Sequence, residues 1–132
     1  MDWKGALRAR LVAAAPVAAL VDGRIYWVDR PQTSPLPAIT LQTIDDARPR
    51  VYGGFQSARP SVVQIDVWAT TFAQKEALAE AVIAALEPAN TANGIKFLAA
   101  EIEGVTDLGE RVETQFIHRT RIDMTFWHST TP

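Results

Sequence analysis

Between Val62 and Leu86 the apolar residues change period without a break in the chain. In VVQIDVW, Val63, Ile65 and Val67 alternate with Gln64, Asp66 and Trp68, the spacing of a strand with one buried face. The following stretch, TTFAQKEALAEAVIAALEP, switches to helical spacing. Leu78, Val82 and Leu86 form one stripe with Ala79 and Ile83 beside it, and Glu76, Glu80 and Glu87 lie opposite. Thr71 and Gln74 have capping-box spacing, and Pro88 stops the helix. A strand that runs directly into such a helix buries both apolar faces by packing them together. The segment therefore predicts a sheet covered by helices on one face and bare on the other. The face left bare carries an acid and a large aromatic, Asp66 and Trp68.

The remaining segments fit the same plan. Trp3, Leu7, Leu11 and Ala14 or Ala15 mark an N-terminal helix, Pro16 opens a short second one over Val17 to Val21, and Asp22-Gly23 turns the chain. Arg24 to Val28 reads as a short strand, DRPQTSPLP as a surface loop, and Ala38 to Ile44 as a second strand. Asp45 to Pro60, with two prolines and Gly53-Gly54, predicts a hairpin or long arm. Beyond the central helix, Asn93-Gly94 is a turn signal, and Ile95 to Glu103 predicts a strand. The polar run Gly104 to Glu113 predicts a loop, and Thr114 to Trp127 a long final strand. No repeat or linker divides the chain, so residues 1–132 are expected to form one α+β domain with a mostly antiparallel sheet. Arg8, Arg10 and Pro16 interrupt the alanine-rich N-terminus, which is therefore expected to be mature soluble structure and not a signal peptide or membrane span.

Composition removes several chemistries. Without cysteine there is no disulfide or thiolate site, and a formal charge of −2 gives no global basic surface for nucleic acid. No serine lies in a nucleophile elbow, and Gly53-Gly54 lacks the strand-to-helix context of a phosphate loop. His118 shares the register of Ile122, Met124 and Phe126 and is expected under the helices, whereas His128 is expected at a frayed surface end. Two histidines without an acidic cluster predict no metal site, and no cofactor is expected. Asp66 and Asp123 could face each other as paired acids, but Arg119 and Arg121 share their face and make cross-strand ion pairing the better expectation. In the arm, Asp45 and Asp46 offset Arg48, Arg50 and Arg59, and the aromatics Tyr52 and Phe55 suit a protein contact. Glu101, Glu103, Asp107, Glu110 and Glu113 surround the single Arg111 in a local acidic stretch.

Taken in order, the blocks ALRARLVAAAPVAALVDGRIY, PLPAITLQ, VVQIDVWATTFAQKEALAEAVIAAL and HRTRIDMTFWH resemble the tail-completion proteins of long-tailed bacteriophages, prophages and gene-transfer particles. The resemblance covers the chain from about Leu7 to His128 and rests on block order and spacing. It implies a structural, non-enzymatic subunit of a hexameric ring, monomeric in some free states, that ends the tail tube. That ring would meet the tail tube protein and a head-completion or neck protein at the head–tail junction, after assembly in the bacterial cytoplasm. DNA would pass through its channel without sequence-specific binding, and no membrane is involved.

With that expectation, Asp66, Trp68, Arg119, Arg121 and Trp127 become candidate interface residues on the bare sheet face, joined by Arg48, Arg50, Tyr52 and Phe55 of the arm. Glu101, Glu103, Asp107, Glu110 and Glu113 become candidate channel-lining residues that repel phosphate. Other readings are an adaptor, a stopper or a minor tail protein, a ligand-binding α+β module with a deep apolar pocket, and an enzyme using Asp66, His118 and Asp123.

Overall fold

The computed structural model describes residues 2–30, 35–46, 50–51, 54–55 and 58–130. Helix α1 (Trp3–Ala13) starts at Asp2, whose side chain accepts from the Gly5 amide at 2.9 Å. Helix α2 (Ala15–Val21) has Pro16 in its first turn and ends at Asp22 and Gly23, both with positive φ. Strand β1 (Ile25–Trp27) lies parallel to β2 (Ala38–Asp46), which pairs antiparallel with β5 (Arg59–Ala69). Between β2 and β5, strands β3 (Arg50–Val51) and β4 (Gly54–Phe55) pair antiparallel as a separate small ladder. Helix α3 (Phe72–Leu86) follows, with Thr71 Oγ1 accepting from the Gln74 amide at 3.2 Å. Strands β6 (Asn90–Ala92) and β7 (Ile95–Phe97) are joined by Asn93-Gly94, both at positive φ as a tight hairpin turn requires. Strands β8 (Glu101–Val112) and β9 (Gln115–Thr130) complete the fold.

The main sheet runs β1-β2-β5-β9. On the far side of β9, β7 pairs with its C-terminal end and β8 with the rest. Apart from β1 with β2, its pairings are antiparallel. The expected alternation holds. Val63, Ile65, Val67, Ile39, Leu41, Ile122, Met124 and Phe126 are buried, in one core with Leu7, Leu11, Val17, Val21, Leu78, Val82 and Leu86. The result is an α+β fold with a curled sheet and one core under the helices.

The expected loop at 104–113 is instead most of β8, a strand paired along β9 from Thr125 to Gln115. Two physical features hid it. It lies at the edge of the sheet with nearly every residue exposed, so it has no apolar/polar alternation to display. A register shift between Ile102 and Gly104, near the start of the strand, also changes the parity of the side chains that follow. The strand expected over Ile95 to Glu103 is in fact two pieces. Leu98 donates to the Trp127 carbonyl and Ala100 to the Glu87 carbonyl, which turns the chain between β7 and β8.

Arg10 appeared in the sequence only as an interruption of an apolar run. It is buried, and its Nη2 donates to the carbonyls of Ala85 (3.1 Å), Leu86 (3.4 Å) and Pro88 (2.8 Å). The α1 guanidinium thus satisfies the open C-terminal carbonyls of α3, where a cation also complements the helix dipole. Burial holds its pKa below the ordinary arginine value.

Candidate subunit-contact surfaces

The bare sheet face is built from the outward residues of β2, β5 and β9. Asp66, only 6% exposed, accepts from Arg119 Nε on Oδ1 (3.0 Å) and from Gln64 Nε2 on Oδ2 (2.7 Å). Register places Arg121 directly opposite Asp66, yet the ion pair forms diagonally with Arg119, while Arg121 bonds Asp123 on its own strand (3.2 Å). Trp68 donates from Nε1 to Thr40 Oγ1 (3.0 Å), and the guanidinium carbons of Arg119 and Arg30 lie 4.9 and 5.2 Å from its ring centre. Val28, Asp29, Arg30, Thr40, Gln64 and Trp68 help line an open cleft of about 280 Å³ here.

Asp66, Trp68 and Arg119 therefore form one cluster, with Arg121 beside it. Trp127 shares the face but sits opposite Pro60, eight residues along β9 from Arg119, or about 26 Å away at strand rise. Asp123 faces Gln64 and not Asp66, so the two acids do not pair across the strands. His118 is on the helix side, between the rings of Phe72 (6.1 Å) and Phe116 (4.8 Å), away from both acids. In the arm, Arg48 and Tyr52 lie outside the described residues, and Arg50 pairs with Phe55 across β3 and β4.

The five acidic residues divide into two groups on β8 and its turn. Glu103 accepts from Thr125 Oγ1 (2.9 Å). Asp107 accepts from Lys75 Nζ (2.8 Å), and Glu76 binds the same ammonium at 2.8 Å. Burial of Lys75, which is 1% exposed, opposes its charge, but the bonds to Asp107 and Glu76 outweigh this and raise its pKa. The same bond, with the charge of Lys75, holds Asp107 below its ordinary value. Glu101, Glu110 and Glu113 are exposed. Ile102, Val105, Leu108, Val112 and Phe116 also stand exposed on this hairpin. Gly109 lets the Phe116 ring lie across β8, because a Cβ there would come within 2.6 Å of it.

One buried cluster escaped sequence reasoning. His128 is not frayed: it is 3% exposed, stacks on Trp3 at 4.8 Å and meets Ser61 Oγ at 2.8 Å through Nε2. Ser61 in turn donates to Asp46 Oδ1 (2.9 Å), which also pairs with Arg59 (3.3 Å). Because the serine proton goes to Asp46, Nε2 must carry the histidine proton and donate to Ser61. That is the reverse of a base–nucleophile pair, and both residues are sealed from solvent. Burial, reinforced by the charge of Arg59 and partly offset by Asp46, lowers the His128 pKa to about 4. Strand parity contained the signal, since Ser61 and His128 both continue the inward registers of their strands.

The bare face of this small α+β domain thus presents a tryptophan set against arginines and a buried acid–arginine pair. The family model described as tail completion protein gp17 matches residues 5–126, and the chain belongs to that family of phage tail structural proteins. A chain from the virion of a native gene transfer agent particle has the same fold, with a TM-score of 0.74 and 22% identity over 96% of this chain and 93% of that one. A second solved chain is similar at a TM-score of 0.54 and 16% identity, over 98% of this chain and 94% of the other. No curated protein matches this sequence.

Proposed function

We propose that the chain assembles into a ring at the end of a phage-type tail tube, terminates the tail and joins it to the neck. Its partners are further copies of itself, the tail tube protein and a head-completion protein, at the head–tail junction with the DNA channel between them. The observation that carries this beyond family membership is the sheet face that holds Trp68 between Arg30 and Arg119. Aromatics set among arginines are the anchors that protein interfaces favour.

Trp68→Ser combined with Trp127→Ser should leave the monomer folded, at about 1–2 kcal/mol of stability, and abolish head–tail joining. Electron microscopy of particles assembled with the variant should then show unjoined capsids and tails of poorly controlled length. Normal joining by a variant whose circular dichroism is unchanged rejects this face as the contact. Copurification with tail tubes supports the terminator role, and copurification with capsids alone supports an adaptor or stopper. In a channel-lining role for the acidic stretch, Glu101, Glu110 and Glu113 would carry the charge, since Asp107 is paired to Lys75. The apolar side chains exposed beside them, among them Leu108, Val112 and Phe116, favour a protein contact for this hairpin instead.

A further inference from the structure

The β8–β9 hairpin outruns the strand beside it. Strand β5 ends at Ala69, opposite His118, whereas β8 and β9 stay paired as far as Val112 and Gln115. Large apolar side chains stand exposed on this end: Val112 at 45% and Phe116 at 38%. Glu110 and Glu113 are exposed there too, with no ion pair among the described residues. The one cation of the tip, Arg111, is turned to the other face of the hairpin from Glu110, over the Phe116 ring.

The opposite end of the molecule carries the complement. There α1, the end of α3 and the β6–β7 turn enclose a cleft of about 400 Å³, walled by Ala9, Ala13, Ala14, Ala85 and Ala92 around Arg10, with no acid in its lining. Small side chains leave room for large ones. Arg10 uses only Nη2 to bind the α3 carbonyls; its Nε and Nη1 are buried without a hydrogen-bond partner, and the guanidinium carbon lies 5.1 Å from the Phe97 ring centre. No carboxylate pairs with it among the described residues. A buried cation left in this state favours an acid brought over it. Within one copy the two ends cannot meet. Asn90 of β6 pairs with Phe97, which pairs with His128, whereas the hairpin closes beside Gln115. Thirteen residues of β9 lie between those points, about 43 Å at strand rise.

We infer that the tip of the β8–β9 hairpin seats in the alanine-walled cleft of a second copy, with Val112 and Phe116 filling it and Glu110 and Glu113 over the Arg10 charge. Tip against tip would set carboxylates together, and cleft against cleft would leave both empty. The contact therefore joins two different surfaces head to tail, so it propagates and can close a ring. It rests on the assembly reading above and specifies which parts of neighbouring copies meet.

The chain has no cysteine, so introduced ones report without background. Full-length Thr114→Cys chains, at the tip, and Thr91→Cys chains, at the cleft, are assembled together on tail tubes and treated with a short bismaleimide. They should give cross-linked dimers that need both variants, and a chain bearing both substitutions should give a ladder of higher multimers. Glu110→Lys with Glu113→Lys should reduce cross-linking by at least about tenfold, since like charges facing each other across an interface strongly disfavour docking. Ala13→Glu, which puts an acid at an exposed position of the cleft, should reduce it as well. Mixing the lysine tip with the Ala13→Glu cleft should restore it, which shows that neither loss comes from misfolding. Dimers from Thr114→Cys alone, undiminished cross-linking after either charge change, or no mixed dimers at all overturn the inference. If tails are still joined normally in those cases, the ring reading stands without this contact. Wild-type chain that never associates with tails overturns both.

Discussion

The two edges of the main sheet are finished in opposite ways. On the β1 side the strand is three residues long, and α1 covers it. Arg8 donates from Nε to the Ile25 carbonyl (3.0 Å) and from Nη2 to the Gly23 carbonyl (3.3 Å), while Trp27 Nε1 reaches the Lys4 carbonyl (3.2 Å). Val28, at positive φ, ends the strand. The β8 side is four times as long and has no such cover among the described residues. An uncovered edge is a template for a further strand, and β8 meets that exposure with charged side chains and a bulge between Ile102 and Gly104 in place of a cover. The comparison divides the molecule into a half whose edge is closed by side-chain contacts and a half whose edge is open among the described residues. Substitutions on the first should change stability, and those on the second should change joining.

The largest stability effect should come from Arg10, which fastens α1 to the end of α3 and so keeps the cover over β1 in place. Arg10→Ala leaves the carbonyls of Ala85, Leu86 and Pro88 without this donor. A loss of about 2–4 kcal/mol is expected, which lowers Tm by something on the order of 10 °C. Thermal unfolding of the monomer followed by circular dichroism checks this. A Tm within a degree of wild type would show that α1 is held by other contacts and would weaken the contrast between the edges.

Acid should loosen the same half. His128 stacks under Trp3 of α1, and its folded pKa of about 4 lies below the ordinary 6.5. Between those values the unfolded chain binds a proton that the folded chain refuses, so stability falls as pH drops from 6.5 towards 4. The histidine contribution is flat above that window, and the loss across it is at most about 3 kcal/mol. Asp107 acts in the same direction, lower on the scale. Its depressed pKa stabilises the fold above the ordinary 3.8, and that contribution fades as pH falls further. Denaturant titrations of wild type and His128→Gln at pH 7 and 5 separate the two, because the variant should lose the slope between 6.5 and 4.

Much of the covered half was legible in the sequence, and much of the open half was not. The two periods on either side of Thr71, the Asn93-Gly94 turn and the parity of β9 are local signals, and each led to the element found. The diagonal pairing of Asp66 with Arg119 was legible as a class of contact, though register alone points to Arg121. What failed depended on distant neighbours. Lys75 lies a helical turn before Leu78 and Ala79 on the buried stripe, but its ammonium is held there by Glu76 of its own helix together with Asp107, which β8 supplies from far along the chain. Likewise, β9 is held to its end by β7, which no local pattern near His128 reveals. Strand β8 owes its existence to the whole length of β9 and, as an edge, shows neither of the periods that sequence reading relies on.

The smallest stability effect, and the sharpest test of the contrast, belongs to Val105 on the open edge. It is 53% exposed and faces the helix side opposite Ile122, with no hydrogen bond of its side chain to lose. Val105→Lys places on β8 the residue that soluble proteins use to protect an edge. Its Tm should stay close to wild type, since an exposed substitution of this kind changes stability by no more than about 0.5 kcal/mol. Joining should nevertheless fall, because a hydrated ammonium would stand among the exposed apolar side chains that the hairpin offers a second copy. If Tm drops with joining, β8 is part of what secures the monomer. If neither changes, the exposed side of β8 meets no partner, and the division between the two halves of the sheet has no bearing on joining.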